Sequence, residues 1–158
     1  MSHDVQMSKW QIRPANVRDA HALSECIEAA YSVYASRVTG LPAVSEGISG
    51  DIKNHRVWVA EIDQNIVGGI ILIPHDDFVL LANVAVHPES SGLGLGRALI
   101  DLAEAECLEL GLGEVHLNTH VDIPENVRLY THLGWQETGR AGNKIHMRKV
   151  LDANNRCG

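Results

Sequence analysis

Positive charge is in short supply: 13 lysines and arginines stand against 20 aspartates and glutamates, a formal net charge of −7 over 158 residues. A surface that grips a phosphate backbone must be basic, so nucleic acid is disfavoured as a partner. The acidic balance suits a cationic acceptor such as an amine, and it equally serves solubility alone. Cysteine is sparse, odd in number and unpatterned at Cys26, Cys107 and Cys157, which argues against a disulfide framework or a zinc site on paired cysteines. Cys26 and Cys107 fall in helix-like stretches and read as small core residues. No apolar run approaches the ~20 residues of a membrane helix, and the first ten residues lack the apolar stretch of a secretory signal. The expectation is a soluble, cytoplasmic protein without membrane contact. Repeats, low-complexity tracts and linkers are missing too, and the length suits one domain, read as residues 10–150 between short tails at 1–9 and 151–158.

What is present is an alternation of β-rich and helix-like segments. Residues 10–13 form a short strand broken at Pro14; Asn16 can cap a helix running to about residue 36, with Ala20, Leu23, Ile27, Ala30, Tyr31 and Tyr34 at helical spacing. A loop at 37–44 leads to a second short helix at 45–53. Runs at 57–62 and 66–73, separated by Asp63-Gln64-Asn65, read as a hairpin. The near-continuous apolar run 78–86 predicts a central strand buried on both faces. Leu95, Leu99, Leu102, Ala103 and Leu110 place a stripe on a helix over 95–110, interrupted by Glu106 and ended by Gly111. A strand at 115–119, a helix at 125–133 and closing strands at 135–138 and 144–150 complete an α/β domain.

Between the run 78–86 and the helix that follows lies Ser91-Gly92-Leu93-Gly94-Leu95-Gly96-Arg97. Glycines let backbone approach a ligand closely, and the helix behind aims unpaired N–H groups and partial positive charge at the same spot, so anionic phosphate is the natural occupant. The dinucleotide pattern Gly-x-Gly-x-x-Gly fails in both frames, at Arg97 and at Leu99, and the Lys-Ser/Thr pair of an ATP-binding loop is replaced by Arg97-Ala98.

The remaining x-x-Gly-x-Gly loop resembles the coenzyme A loop of the GCN5-related N-acetyltransferases. The approach Asn83-Val84-Ala85-Val86-His87-Pro88-Glu89 resembles that family as well. Asn126-Val127-Arg128-Leu129-Tyr130, with Gly134-Trp135 downstream, is similar to its Asn-x-x-x-Tyr-x-x-x-Gly-Phe segment. The resemblance implies a three-layer α-β-α fold, with a mixed, mostly antiparallel twisted sheet splayed between its fourth and fifth strands. It implies acetyl-CoA as cosubstrate and a primary amine of a small molecule or peptide as acceptor. The coenzyme would be held by backbone at Gly92, Leu93, Gly94, Leu95 and Gly96 with Ser91 and Arg97, and by strand backbone at Val84, Ala85 and Val86. Asn126 and Asn118 are candidates for the pantetheine arm. Ser91 departs from the family, which usually has Gln or Arg there.

By the same resemblance Tyr130 is the candidate general acid, its other reading being a core tyrosine; Asn126 reads equally as a helix cap. Tyr31, Tyr34 and Arg37 are plausible lining for the acceptor, Arg37 suiting a carboxylate. No carboxylate stands on residues 80–84, so the general base is open among Glu61, His75, Asp76, Asp77, His116 and His120, or is water. His116 and His120 share a strand face without a third ligand nearby, and no metal is expected. A non-catalytic acyl-CoA-binding module and transfer of a longer acyl group remain alternatives, and monomer and homodimer are both open.

Overall fold

The computed structural model describes residues 10–34 and 47–151. Arg37, the loop 37–44 and Cys157 lie outside them. Seven strands form one sheet in the order β1-β2-β3-β4-β5-β7-β6. They are β1 (Gln11–Pro14), β2 (Arg56–Ile62), β3 (Asn65–Pro74), β4 (Val79–Val86), β5 (Glu114–His120), β6 (Gln136–Ala141) and β7 (Lys144–Val150), and the helices are α1 (Ala20–Ser32), α2 (Ile48–Asn54), α3 (Leu95–Glu109) and α4 (Pro124–His132). This is the mixed α/β sheet that the sequence led us to expect. All neighbouring pairs are antiparallel except β4 and β5.

Side-chain alternation divides the core between the two faces. Leu23, Ile27, Ile48, Val59, Ile71 and Ala85 pack on the face carrying α1 and α2. Leu72, Val79, Leu99, Ala103, Leu117, Trp135 and Met147 pack on the other, with α3. Where the first helix begins, Asn16 accepts a bond from the Arg18 N–H at 3.0 Å, and Asp19 accepts one from the Asn16 N–H at 2.8 Å. This reciprocal cap closes a 3-10 turn at Val17–Asp19 and not the α-helix itself, which ends at Ser32, short of the expected residue 36. Glu106, which broke the apolar stripe of α3, meets Arg56 at 3.2 Å. The stripe runs on through buried Ile100 and Cys107, whereas Leu110 is exposed at the helix end.

Two further strands differ from their sequence reading. Along β4 burial alternates, because Ile71 pairs with Asn83 and Leu72 with Leu81, leaving Ala82 as an exposed extra residue, a β-bulge. Val79 and Leu81 before the bulge face α3, as do Val84 and Val86 after it. Asn83 and Ala85 are thereby turned to the α1 side. β6 extends to Ala141, further than its sequence suggested, since every residue of it is exposed and polar or small enough to carry no alternation. Between β2 and β3, Asp63 and Gln64 both take positive φ, as a two-residue hairpin turn requires.

A candidate active site at the splayed strands

β4 and β5 are paired only at Val79 with Val115 and Leu80 with His116. Beyond Leu80 the two strands part, and the β5-facing edge of β4 runs on without a ladder partner. The opening is flanked by two cavities that share Tyr31, Val84, Asn126 and Tyr130.

The larger cleft, about 670 Å³, runs from the α3 N-terminus past Val84, Ala85 and Val86 to Tyr130 and Asn126. Gly92 and Gly94 take φ of 85° and 79°, with nothing within 4 Å of an added Cβ, so the turn itself demands glycine there. Gly94 caps α3 without a side-chain hydrogen bond, which leaves the first-turn N–H groups without a side-chain cap. Gly96 has ordinary helical geometry, and its added Cβ would meet only Val86 Cγ2, at 3.8 Å. Ser91 donates its hydroxyl to the Pro88 carbonyl at 2.9 Å. Leu93 is not part of the lining; its carbonyl accepts the Trp10 indole N–H at 3.1 Å. Arg97 lines the cleft and approaches Asp101 at 3.8 Å.

Tyr130 stands where the cavities meet and is 7% exposed. α4 ends two residues later, at His132: Gly134, at φ 99°, reverses the chain, and the Trp135 N–H returns to the Tyr130 carbonyl at 2.9 Å. The Trp135 ring then packs edge-on to Tyr130 at 5.6 Å. Gly134-Trp135 therefore aims the tyrosine. Burial, and then the neighbouring Tyr31 and Tyr34, hold the Tyr130 phenol well above the usual phenol value. Burial raises Tyr31 as well, with Tyr34 adding to it. Asn126 lies inside α4 and does not cap it; its Nδ2 donates to Thr119 Oγ1 at 3.2 Å.

The smaller cavity, about 300 Å³, opens between β4 and β5 on the side of the β6–β7 turn, with Asn118 and His120 in its wall. Asn118 Oδ1 lies 2.9 Å from His146 Nδ1, His146 Nε2 lies 3.3 Å from His116 Nδ1, and His116 Nε2 lies 2.9 Å from Glu114 Oε1. Phe78 stacks on His116 at 4.0 Å, and His75 on Phe78 at 4.7 Å. Burial, then the adjacent His116, lowers the His146 pKa. Of the proposed bases only His120 lines a cavity, and its Nδ1 accepts the Asp122 N–H at 3.0 Å. Glu61 pairs with Arg13 at 3.3 Å, and His75, Asp76 and Asp77 are exposed. Sequence reasoning missed Asn83 and Lys144, which stand in the smaller cavity's wall; a lone Asn in an apolar run was the one available signal.

A family model for the acetyltransferase (GNAT) domain matches residues 53–137. The chain belongs to the GNAT acetyltransferase family. Among its relatives, the uncharacterized N-acetyltransferase YjgM of Escherichia coli K12 is 30% identical over 108 residues, 61% of this chain and 65% of that protein. Human N-acetyltransferase 8B is 31% identical over 99 residues, 59% of this chain and 44% of that protein. The chain thus spans less than two thirds of either relative. Among solved GNAT-fold structures, PaiA N-acetyltransferase of Thermoplasma acidophilum, a complex with coenzyme A, superposes with a TM-score of 0.82 over 90% of this chain and 99% of its own, at 19% identity. The ribosomal-protein-S18-alanine N-acetyltransferase of Escherichia coli gives 0.74 over 91% and 95%, also at 19% identity.

Proposed function

We propose that the protein is an acetyl-CoA-dependent N-acetyltransferase that moves the acetyl group to a primary amine of a small molecule or peptide by direct attack. One observation carries this reading: a single cleft leads from an uncapped helix N-terminus, behind a glycine turn, to a buried tyrosine at the gap between parted strands. Gly96 supports it, because no neighbour among the described residues requires a glycine there and a ligand lying against the backbone would.

In this reading the loop from Ser91 to Arg97 holds the pyrophosphate through backbone N–H groups. Unpaired backbone of β4 at Val84 and Val86 takes the pantetheine amides, and Asn126 stands beside them. Acetyl-CoA supplies the thioester. The amine nitrogen attacks the thioester carbonyl carbon, the C–S bond breaks, and Tyr130 delivers its hydroxyl proton to the departing sulfur while the amine sheds one proton to water. Water then reprotonates the phenoxide. The buried phenol stays protonated at neutral pH, and the same desolvation penalises a bare thiolate beside it, so proton delivery at that sulfur is worth most there.

Acetyl-CoA is expected to raise the melting temperature, and an amine panel to release free thiol; no stabilisation at millimolar coenzyme overturns the reading. Replacing Tyr130 by Phe should lower kcat by roughly a hundredfold or more with coenzyme affinity intact. A second reading, a non-catalytic acyl-CoA-binding module, is favoured by the lack of any Asp or Glu among the described residues lining either cavity. It predicts coenzyme binding without turnover on any amine. A longer acyl donor would show as a preference within an acyl-CoA series.

A further inference from the structure

Asn83 is the one buried carboxamide whose oxygen has no partner among the described residues. It is 8% exposed and lines the smaller cavity beside Val84, on the strand segment that the bulge at Ala82 turns to the α1 side. Such an oxygen is costly to leave unpaired, and as it stands it is enclosed. A half-turn of the amide exchanges its oxygen and nitrogen and so presents the oxygen to an N–H donor in the cavity. The cavity's other end is exposed and carries Lys144 at the β6–β7 turn, next to Asn143. None of the ion pairs among the described residues engages Lys144. Asp and Glu are absent from the described lining, although the chain as a whole is acidic.

A hydrogen-bond acceptor at depth and an ammonium at the mouth that no described side chain pairs are complementary to a molecule with N–H groups at one end and negative charge at the other. We propose that the smaller cavity selects amines that also carry a carboxylate, with Asn83 accepting a hydrogen bond from the acceptor amine and Lys144 meeting the carboxylate. This rests on the transferase reading for the fate of the amine but not for its binding. Asn83 touches the acceptor and orients its lone pair toward the gap at Tyr130. It takes no proton, since an amide has no basic site near neutral pH. Lys144 determines specificity.

The test uses glycine, β-alanine, 4-aminobutyrate, 5-aminovalerate and 6-aminohexanoate, each against its own primary amide, so that the spacing of amine and carboxylate varies while the amine is constant. Calorimetry on the full chain saturated with coenzyme A reads the cavity apart from turnover. At least one acid should bind tenfold or more tighter than its amide. Lys144→Gln should remove that preference, and Lys144→Arg should keep most of it. Asn83→Ala should weaken acid and amide alike by fivefold or more without changing coenzyme affinity, and Asn83→Asp should recover part of the loss. Binding indifferent to the carboxylate across the series, or a preference that survives Lys144→Gln, overturns the proposal. If the acids bind as expected and no thiol is released from acetyl-CoA, the cavity stands and the transferase reading falls.

Discussion

An extra methyl on Gly96 would touch only Val86, and alanine is the better helix former by up to about 1 kcal/mol. Gly96→Ala is therefore expected to leave thermal stability unchanged or raised while weakening coenzyme A about tenfold, read by melting temperature and calorimetry on the same sample. A stabilised variant with unchanged affinity would show that the coenzyme does not lie against this backbone. Asp19 makes the opposite kind of residue. Its carboxylate, 7% exposed, takes both Arg13 guanidinium nitrogens at 2.8 and 3.0 Å as well as the Asn16 N–H, and the Arg13 bond foremost holds it below the usual carboxylate range. Asp19→Ala should cost about 1–3 kcal/mol in urea unfolding, with no change in coenzyme affinity.

At the scale of elements, β3 carries Gly68 and Gly69 in mid-strand because helices press on both faces. A Cβ on Gly69 would meet Leu23 of α1 at 2.5 Å, and one on Gly68 would meet Leu95 of α3 at 3.1 Å. Gly69→Ala should destabilise by about 1–3 kcal/mol through overpacking, seen as a lower urea midpoint. Most elements were legible in the sequence because their apolar spacing matched their geometry: the hairpin, α3, β5 and α4 fall within a residue or two of expectation. β4 was read as buried on both faces because an extra residue that re-phases a strand leaves no mark in a run of Leu, Ala and Val. The polar edge strand β6 gave no alternation to find. Of the candidate site, the loop and Tyr130 could be seen in local spacing. The pairing of Asn83 with a cavity closed by Lys144 could not, since it joins segments sixty residues apart through a bulge and a turn.

For the whole molecule, acid stability follows from groups whose folded protonation differs from the unfolded. The His146 pKa is lowered by burial and by His116, so the unfolded chain takes up that proton first; its contribution is complete above the ordinary histidine value of ~6.5 and declines as pH falls below it. Asp19 is depressed as well; its contribution persists below the histidine range and goes as pH falls through its folded value. Urea midpoints against pH should therefore fall in two stages, and His146→Gln should remove the earlier one. A single fall confined to the carboxylate range would contradict this.

The parting of β4 from β5 also bears on mechanics. With only two paired positions joining β1–β4 to β5–β7, the sheet is nearly cut in two, and a ligand spanning the gap would act as a clasp between the halves. Amide hydrogens of β4 beyond Leu80 that face the gap should then exchange faster in the empty protein and slow when coenzyme A is bound, so that the protein is stiffest while holding its ligand.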